Sequence, residues 1–436
     1  MLRNRIARDQ YDPSLTFNDP SPYVCGPIIN SSGPHVRPTM SSRPEVSMSP
    51  SRREFLSTSA GVAGAMALPS ALGAETKSSG GSHGPDRAPS EVETVLSSSR
   101  PMRILFLGGT GFIGPHMVRY AMARGHTVTI FNRGQSNTHL FPDVEKLVGD
   151  RNDDIESLKG RTWDAVIDNS ASNPKWVRLS AQALKDSVDT YLFTSTRSVY
   201  SDMSQVGLTE ETAPVHEVDR ALVDGDERIP YGPAKVLCEM EANDALPGRT
   251  LIVRPGLIVG PGDNTDRFTY WPARIDRGGE VLAPGDPNNF AMFIDVRDLA
   301  EWYVHLLEQG ALGVLNALGP ESPLSFAELL YGIRAVTSSP VSFTWVDTDF
   351  LLEREVRPYS HMPLWMPARG ERVGFQRFDL SKPLAMGVKY RPLAVTAKDT
   401  LDYHKSRPAE RQAELRAGMP AEREAELLAA WHAASG

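Results

Sequence analysis

Cysteine is scarce in this sequence. Its 436 residues include only Cys25 and Cys238, and neither stands in a spacing that metal-binding cysteines and histidines adopt. We therefore expect no metal site and no disulfide. If the amino-terminal segment is removed, as suggested below, Cys238 alone remains and no internal disulfide can form.

An excess of positive charge is also missing. The chain has 46 Lys and Arg against 54 Asp and Glu, a formal net charge of −8. This balance argues against a nucleic-acid partner held through its phosphates, although a local basic patch would escape the average. The hydrophobic share of 40% and the charged share of 23% are typical of a soluble globular protein, and the length could hold two or three domains.

No long, uninterrupted apolar run is present either. The nearest candidate, residues 55–72, is rich in Ala and Gly and is interrupted by polar residues and Pro69, so it would make a poor membrane span. Arg52 and Arg53 precede it, and Gly73-Ala74 follows. This pattern is typical of a twin-arginine signal peptide over residues 48–74. We therefore expect export by the twin-arginine route to the periplasm or another extracytoplasmic space.

The segments around this signal have no periodic pattern. Residues 1–47 are rich in Pro, Ser and Asn, and we interpret them as disordered or as a mis-assigned start, with Met48 the true one. Residues 75–100 have the Ser, Gly, Pro and Glu content of a flexible linker.

A glycine-rich turn follows the linker. An apolar strand over 103–107 leads into Gly108, Gly111 and Gly114, and a helix pattern begins at Pro115. Glycine permits a tight turn and a close approach of the backbone to a pyrophosphate, and the helix amino terminus then faces the phosphates. Because strand and helix flank the motif, we predict a dinucleotide-binding turn.

The pattern then alternates between strands and helices. It predicts an α/β fold: a Rossmann-like, doubly wound parallel sheet with a smaller carboxyl-terminal substrate-binding domain. We expect the Rossmann domain over 101–256, a substrate-side region that also returns strands to the sheet over 257–401, and helices over 402–436. The predicted strands are 103–107, 127–131, 145–148, 164–168, 190–194 and 251–254, and the predicted helices are near 115–124, 174–186 and 231–245.

Two further patterns point to chemistry at the carboxyl ends of the strands. Tyr231 and Lys235 share one face of a predicted helix. The phenol titrates near ~10 unaided, and a nearby cation lowers this pKa, so Tyr231 could exchange a proton with an alcohol whose hydride leaves. Thr196 ends a strand and could hydrogen-bond the reacting oxygen, although such a hydroxyl often only satisfies loop backbone.

Taken together, these motifs resemble the extended short-chain dehydrogenases/reductases, the NAD-dependent epimerase/dehydratase family. The resemblance covers about 102–401 and includes Arg254-Pro255-Gly256 and Phe293-Ile-Asp-Val-Arg-Asp-Leu299. It implies that Tyr231 is the acid/base, that Lys235 lowers its pKa and holds the nicotinamide ribose, and that Thr196 orients the substrate. The implied cofactor-binding residues are Gly108, Gly111, Phe112, Ile113, Gly114, Asn132, Arg133, Asp150 (at the adenine), Asn169, Ser170, Lys235 and Pro255.

Departures from the family pattern narrow the chemistry. Asn132-Arg133 stands where many relatives have an acidic residue on the adenosine ribose, which favours NADP over NAD. Arg197-Ser198 replaces the acidic residues that dehydratases and decarboxylases of the family carry after the threonine, so dehydration is disfavoured. Relatives tend to have an asparagine near Leu257 that contacts the diphosphate of a nucleotide sugar, and the leucine side chain cannot make that contact. The acidic segment 201–229 would repel a diphosphate if it covers the site.

These expectations combine into an exported NAD(P)-dependent epimerase or oxidoreductase. It would act on a hydroxyl or carbonyl of a sugar-like small molecule. Its other expected partner is the twin-arginine export machinery, and it could form a homodimer. Outside the cytoplasm the cofactor must be tightly held, which suits internal redox. The alternative is a non-catalytic, dinucleotide-dependent binding protein, because Phe131-Asn-Arg-Gly134 also resembles the RNA-binding branch of the superfamily.

Overall fold

The computed structural model describes residues 97–169, 171–225 and 227–435. The expected disordered start, the signal peptide, most of the linker and Ser170 lie outside these residues. Residues 92–436 belong to one compact unit of the chain. Its centre is a seven-stranded sheet in which every neighbouring pair of strands is parallel.

The strands of the sheet are β1 (Arg103–Leu107), β2 (Thr127–Asn132), β3 (Glu145–Val148), β4 (Trp163–Asp168), β5 (Val188–Thr194), β6 (Thr250–Pro255) and β11 (Gly313–Ala317). Their order in the sheet is β11-β6-β5-β4-β1-β2-β3. The order reverses between β1 and β4, and this reversal is the topological switch point at which open α/β sheets bind ligands. The predicted Rossmann-like, doubly wound fold is therefore confirmed.

Helices cover both faces of this sheet. On one face, α1 (Gly114–Ala123) and α5 (Val296–Glu308) bury side chains such as Met117 and Trp302 against the strands. On the other, α2 (Pro174–Leu184) and α3 (Tyr231–Ala245) do the same, with Leu184 and Cys238 in that core. Both faces are buried, which explains why the central strands are continuous apolar runs rather than alternating ones.

The substrate-side region has a core of its own, built around Trp271, Phe326 and Trp365. Most of its strands are very short and pair with segments far along the chain. Its elements are β7 (Ile258–Val259), β8 (Gly279–Pro284), β9 (Phe290–Ala291), β10 (Ile294–Asp295), β12 (Leu324–Ser325), β13 (Val341–Val346), α4 (Tyr270–Asp276), α6 (Phe326–Arg334), α7 (Thr348–Glu353), α8 (Ser381–Ala385) and α9 (Leu393–Ser406).

The last described helices are α10 (Ala409–Ala413) and α11 (Ala421–Ser435), which residues 414–420 separate. α11 packs Leu427 and Leu428 into the substrate-side core. Among the helices that the structure describes, none combines the length and apolar character needed to cross a membrane.

Candidate active site

The glycine-rich turn connects β1 to α1. Gly108 and Gly109 have φ values of +115° and +89°, a backbone region that side chains disfavour. A Cβ on Gly114 would lie 2.5 Å from the carbonyl carbon of Gly109, so the helix start packs on the turn itself rather than on the strand. A Cβ on Gly111 would meet no atom within 4 Å. The open space at Gly111 is where a pyrophosphate can approach the backbone.

Phe112 and Ile113 complete the turn. Both are half-buried, and the Ile113 carbonyl accepts the backbone N–H of His116 at the start of α1. The Phe112 ring lies beneath the segment that follows β7, since a Cβ on Gly262 would be 3.5 Å from it. The turn is thereby linked to the substrate-side region.

The end of β2 approaches the same turn. Asn132 Nδ2 lies 3.4 Å from both the Gly108 carbonyl and the Thr110 hydroxyl, and its Oδ1 accepts the N–H of Gly134. Arg133 is exposed and makes no ion pair with any residue that the structure describes. Its guanidinium is thus available to an anion at the edge of the turn.

The remaining predicted cofactor residues lie at the ends of strands. Asp150 follows β3, and its Oδ1 accepts the N–H and side-chain amide of Asn152, which leaves Oδ2 for a ligand. Asn169 follows β4, and Pro255 is the buried last residue of β6. Ser170 lies outside the described residues.

Tyr231 and Lys235 lie one turn apart at the start of α3. Tyr231 is the first residue of the helix, and its 42% exposure leaves the phenol accessible to a substrate. Lys235 is buried, and its Nζ donates to the carbonyls of Ala171 at 2.7 Å and Thr194 at 2.5 Å. An ammonium has three donors, so one N–H remains for a ribose hydroxyl. Burial lowers the pKa of Lys235 to about 8.

Thr196 lies in the turn that follows β5. Its Oγ1 accepts the N–H of Ser198, 3.2 Å away, so the hydroxyl does satisfy loop backbone. The hydroxyl proton remains free to be donated to a reacting oxygen. The start of α3 lies directly against this turn, because a Cβ on Gly232 would be 2.2 Å from the Ser198 carbonyl oxygen.

A buried network behind Thr196 and Lys235 was not predicted from the sequence. Glu239, one turn after Lys235, accepts two hydrogen bonds from Arg254 and a short one from the Ser195 hydroxyl. Arg254 also reaches the phenol of Tyr200, 3.2 Å away. The i, i+4 spacing of Lys235 and Glu239 on an otherwise apolar helix face was the available signal.

A second network lies beneath the cofactor side. Arg151 makes two 2.7 Å hydrogen bonds to the fully buried Asp168, which also accepts the phenol of Tyr191. These residues join the end of β4 to the segment after β3, and so fix the two strand ends that carry Asn169 and Asp150.

The acidic segment 201–229 is only partly a solvated loop. Glu210 is buried and accepts the N–H of Asn316, and Asp224 pairs with Arg178. Because these carboxylates are engaged within the protein, the segment has fewer acidic groups available to repel a ligand than its composition suggests. Within the part of the chain that the structure describes, no group of three or more His, Cys, Asp or Glu side chains is arranged to hold a metal ion.

Comparisons with known proteins agree with this architecture. Residues 104–317 match the model of the NAD dependent epimerase/dehydratase family. A dTDP-4-dehydro-6-deoxy-D-allose reductase of Streptomyces bikiniensis is 29% identical over 269 residues, which are 54% of this chain and 82% of the reductase. The chloroplast stem-loop binding protein of 41 kDa b of Arabidopsis thaliana is 26% identical over 245 residues, 51% of this chain and 60% of that protein.

Solved structures show the same fold. A UDP-glucose 4-epimerase superposes with a TM-score of 0.51 at 18% identity, covering 70% of this chain and 98% of the epimerase. The matched residues 104–317 contain the glycine-rich turn, the Tyr231 and Lys235 pair and nearly the whole sheet. This part of the chain therefore resembles the NAD-dependent epimerase/dehydratase family, and the cofactor that such a fold binds is NAD or NADP.

Proposed function

We propose that this chain is an exported, NAD(P)-dependent epimerase or oxidoreductase that acts on a hydroxyl or carbonyl group of a sugar-like small molecule. One observation carries the proposal. An accessible phenol, Tyr231, lies one helical turn from a buried ammonium, Lys235, whose Nζ donates to carbonyls at or just after the carboxyl ends of β4 and β5. The name of the Streptomyces relative, a reductase of a deoxysugar, supports this substrate class.

The side chains divide the work of a hydride transfer. The nicotinamide supplies the hydride acceptor and donor when bound. Tyr231 takes the alcohol proton as the hydride leaves and returns it when the carbonyl is reduced. The positive charge of Lys235 favours the phenolate, and its spare N–H holds the nicotinamide ribose. The Thr196 hydroxyl donates to the reacting oxygen and fixes its orientation.

NADP is the cofactor that we favour. The exposed Arg133 makes no ion pair with a described residue and stands at the end of β2, where the adenosine ribose lies in this fold. A guanidinium at that position binds a 2′-phosphate through charge-assisted hydrogen bonds. Asn132 adds no negative charge that would repel it.

Export requires that the cofactor stay bound. An enzyme outside the cytoplasm has no cofactor pool to draw on, so we infer that the hydride returns to the same substrate molecule, as in epimerisation. The twin-arginine pattern at Arg52 and Arg53 supports this inference, because that route carries folded proteins. The mass of the mature protein tests it, with cleavage near Ala74 expected and an intact amino terminus contradicting export.

The first test is to purify residues 75–436, denature them and identify the released nucleotide by mass and absorbance. Stoichiometric NADP is the expected result. NAD in its place would overturn the role given to Arg133, and a protein with no affinity for either nucleotide would overturn the catalytic proposal.

The second test is Tyr231→Phe. We expect turnover to be abolished while the cofactor stays bound, because the phenol proton is lost and the ring is kept. Tyr331→Phe is the matched control, since Tyr331 is similarly exposed but packs on Phe343, remote from the glycine-rich turn in sequence. Near-normal turnover by Tyr231→Phe would contradict the mechanism.

The RNA-binding alternative is favoured by the match to the chloroplast protein and opposed by the net charge of −8. It predicts retention of RNA that falls steeply with salt. Salt-dependent retention of RNA by a protein that turns over no sugar would favour this alternative over the enzymatic proposal.

A further inference from the structure

Arg197 is an unusual buried cation in this protein. It directly follows Thr196 in the turn after β5 and is only 5% exposed. Among the described residues, five Lys and Arg side chains are this deeply buried, and three of them pair with carboxylates: Arg151 with Asp168, Arg254 with Glu239 and Arg274 with Glu424. The other two are Lys235, to which the proposed function assigns the nicotinamide ribose, and Arg197.

The surroundings of Arg197 are neutral. Its guanidinium lies 3.9 Å over the ring of Phe375. Nη1 donates to the Phe375 carbonyl at 2.8 Å and to Gln376 Oε1 at 3.4 Å, and Nη2 donates to the Tyr359 hydroxyl at 3.3 Å. No carboxylate in the described part of the chain lies within ion-pair distance of it. A buried charge without a counter-ion is costly, so its retention points to a ligand that supplies one.

Two donors of Arg197 remain unused. A guanidinium has five N–H groups, and the three contacts above leave the Nε–H and one Nη2–H, which belong to neighbouring nitrogens of the group. The Nε atom makes no hydrogen bond to a described residue, yet it is absent from the fully buried atoms that lack a partner. The Nε–H is therefore not completely enclosed by the protein. Two parallel N–H donors on one edge match the two oxygens of a carboxylate.

Arg197 lies next to the residues that form the proposed reacting centre. Arg197 lies between Thr196 and Ser198, and the Ser198 carbonyl contacts the first turn of α3, which carries Tyr231. The segment that supplies Phe375 also closes over the loop after Tyr200, because Gly374 donates to the Met203 carbonyl at 2.8 Å. Arg197 is thus held rigidly between the catalytic turn and the substrate-side region.

We propose that Arg197 binds a carboxylate of the substrate, so that the enzyme acts on a sugar acid or a related hydroxy acid rather than on a neutral sugar. The inference rests on the proposed function and deepens it. A planar monoanion satisfies the two free donors of one guanidinium, whereas a diphosphate carries more charge than this single cation offsets.

The test measures binding to the cofactor-loaded protein with three probes: D-galacturonate, its neutral counterpart D-galactose, and UDP. Losing one partner of a desolvated charge pair costs roughly 30-fold or more in affinity. We expect the wild type to bind D-galacturonate at least about 30-fold more tightly than D-galactose, and Arg197→Gln to bind the two within about threefold of each other. Arg354→Gln, which removes another arginine stacked on a ring, is expected to keep the preference.

Arg197→Lys provides a second test if the Arg197→Gln variant does not fold. It keeps the charge but not the two-pronged edge, so it should retain a smaller preference for the acid. Equal binding of acid and neutral sugar by the wild type, an unchanged preference in Arg197→Gln, or Arg197-dependent binding of UDP alone would each overturn the inference. Tyr231→Phe separates it from the proposed function, since that variant should lose turnover and keep the acid preference.

Discussion

Burial of the Lys235 ammonium suits its proposed role in the chemistry but lowers the stability of the fold. Its Nζ replaces water with two carbonyl oxygens and the face of Phe193, 4.2 Å away. These contacts offset only part of the desolvation, and the pKa falls to about 8. The ammonium is therefore retained at neutral pH at the expense of stability, which is the usual condition of a residue kept for function.

The first prediction follows from this pKa. The unfolded chain binds a proton at Lys235 up to about pH 10.4, whereas the folded protein releases it from about pH 8, so stability should rise with pH above 8. Between pH 8 and 9 we expect up to about 1 kcal/mol, one pKa unit being worth about 1.4 kcal/mol. Urea unfolding of the cofactor-free protein measures it, with Lys235→Met as the reference.

The comparison with Lys235→Met uses the slope of stability against pH and not its absolute value, because the variant also loses two hydrogen bonds. The window ends at pH 9 because burial raises the pKa of Cys238 to about 12, and that thiol opposes the trend above its unfolded pKa. Identical slopes in both proteins would show that Lys235 is not the group responsible.

The second prediction concerns Gly232. A Cβ there would lie 2.2 Å from the Ser198 carbonyl oxygen, a backbone atom that cannot move without moving the turn of Thr196. Gly232→Ala should therefore displace the first turn of α3 and lower kcat by about 100-fold, in line with the cost of a 1 Å misplacement. Gly225→Ala, whose new Cβ would make only contacts of 3.6 Å or longer, should leave kcat within about twofold. Similar rates for both variants would mean that the turn tolerates displacement.

At the scale of elements, the sequence predicts strands and helices that have a local pattern, and it misses strands that form only by pairing with distant segments. Six of the seven strands of the sheet and helices α1 to α3 agree with the predicted bounds to within about two residues, because apolar runs and glycines alternate with helical periodicity there. The seventh strand, β11, was expected only as a strand returned to the sheet from residues 257–401, without bounds of its own. The two-residue strands β7, β9, β10 and β12 have no such signal, since they exist only through pairing with distant segments. The site divides in the same way.

The residues on one short motif, such as Tyr231 and Lys235, could be assigned from spacing alone. The partners that hold them could not. Glu239 and Arg254 meet through an ion pair between α3 and β6, and Arg197 meets Phe375 across 178 positions of sequence. No periodicity encodes contacts of this kind, because they depend on how separate elements pack.

The third prediction tests the Glu239–Arg254 pair as a positioning element. Both side chains are buried, and Glu239→Gln leaves the guanidinium without its counter-ion, which should cost about 3 kcal/mol or more of stability. Because Glu239 also accepts the Ser195 hydroxyl beside Thr196, kcat should fall more than KM changes. Glu241→Gln is the control on the same helix. Glu241 is buried too, but its partner, Arg178, is partly exposed and also pairs with Asp224, so a smaller loss of stability than for Glu239→Gln is expected, with kcat preserved.

A purely structural role predicts another result for the same pair. In that case Glu239→Gln would lower stability, but the fraction still folded would keep the wild-type kcat and the wild-type dependence of rate on pH. Measuring both at a temperature where the variant is fully folded distinguishes the two roles.

At the scale of the whole molecule, buried carboxylates tie the carboxyl-terminal helices to the substrate-side region. Glu424 of α11 binds Arg274 and accepts the backbone N–H of Leu282. Asp266 has no exposed surface and binds Arg407 and Arg411, each at 2.6 Å. It lies in the segment after β7 whose Gly262 covers Phe112 of the glycine-rich turn. The last helices are therefore coupled to the cofactor side through one short segment.

The fourth prediction is that Asp266→Asn loosens both ends of this connection. Two guanidinium groups lose their shared counter-ion, and one of them, Arg407, is itself 8% exposed, so we expect a loss of about 3 kcal/mol or more in the free energy of unfolding. Glu426→Gln, which removes an exposed pair with Arg423 in α11, should cost less than about 1 kcal/mol. Urea unfolding of the two variants measures the difference. Because the segment that Asp266 anchors covers Phe112, Asp266→Asn should also release the cofactor faster than Glu426→Gln does. A small loss of stability in both variants would contradict the anchoring role given to Asp266, and an unchanged cofactor release rate would separate α10 from the dinucleotide site.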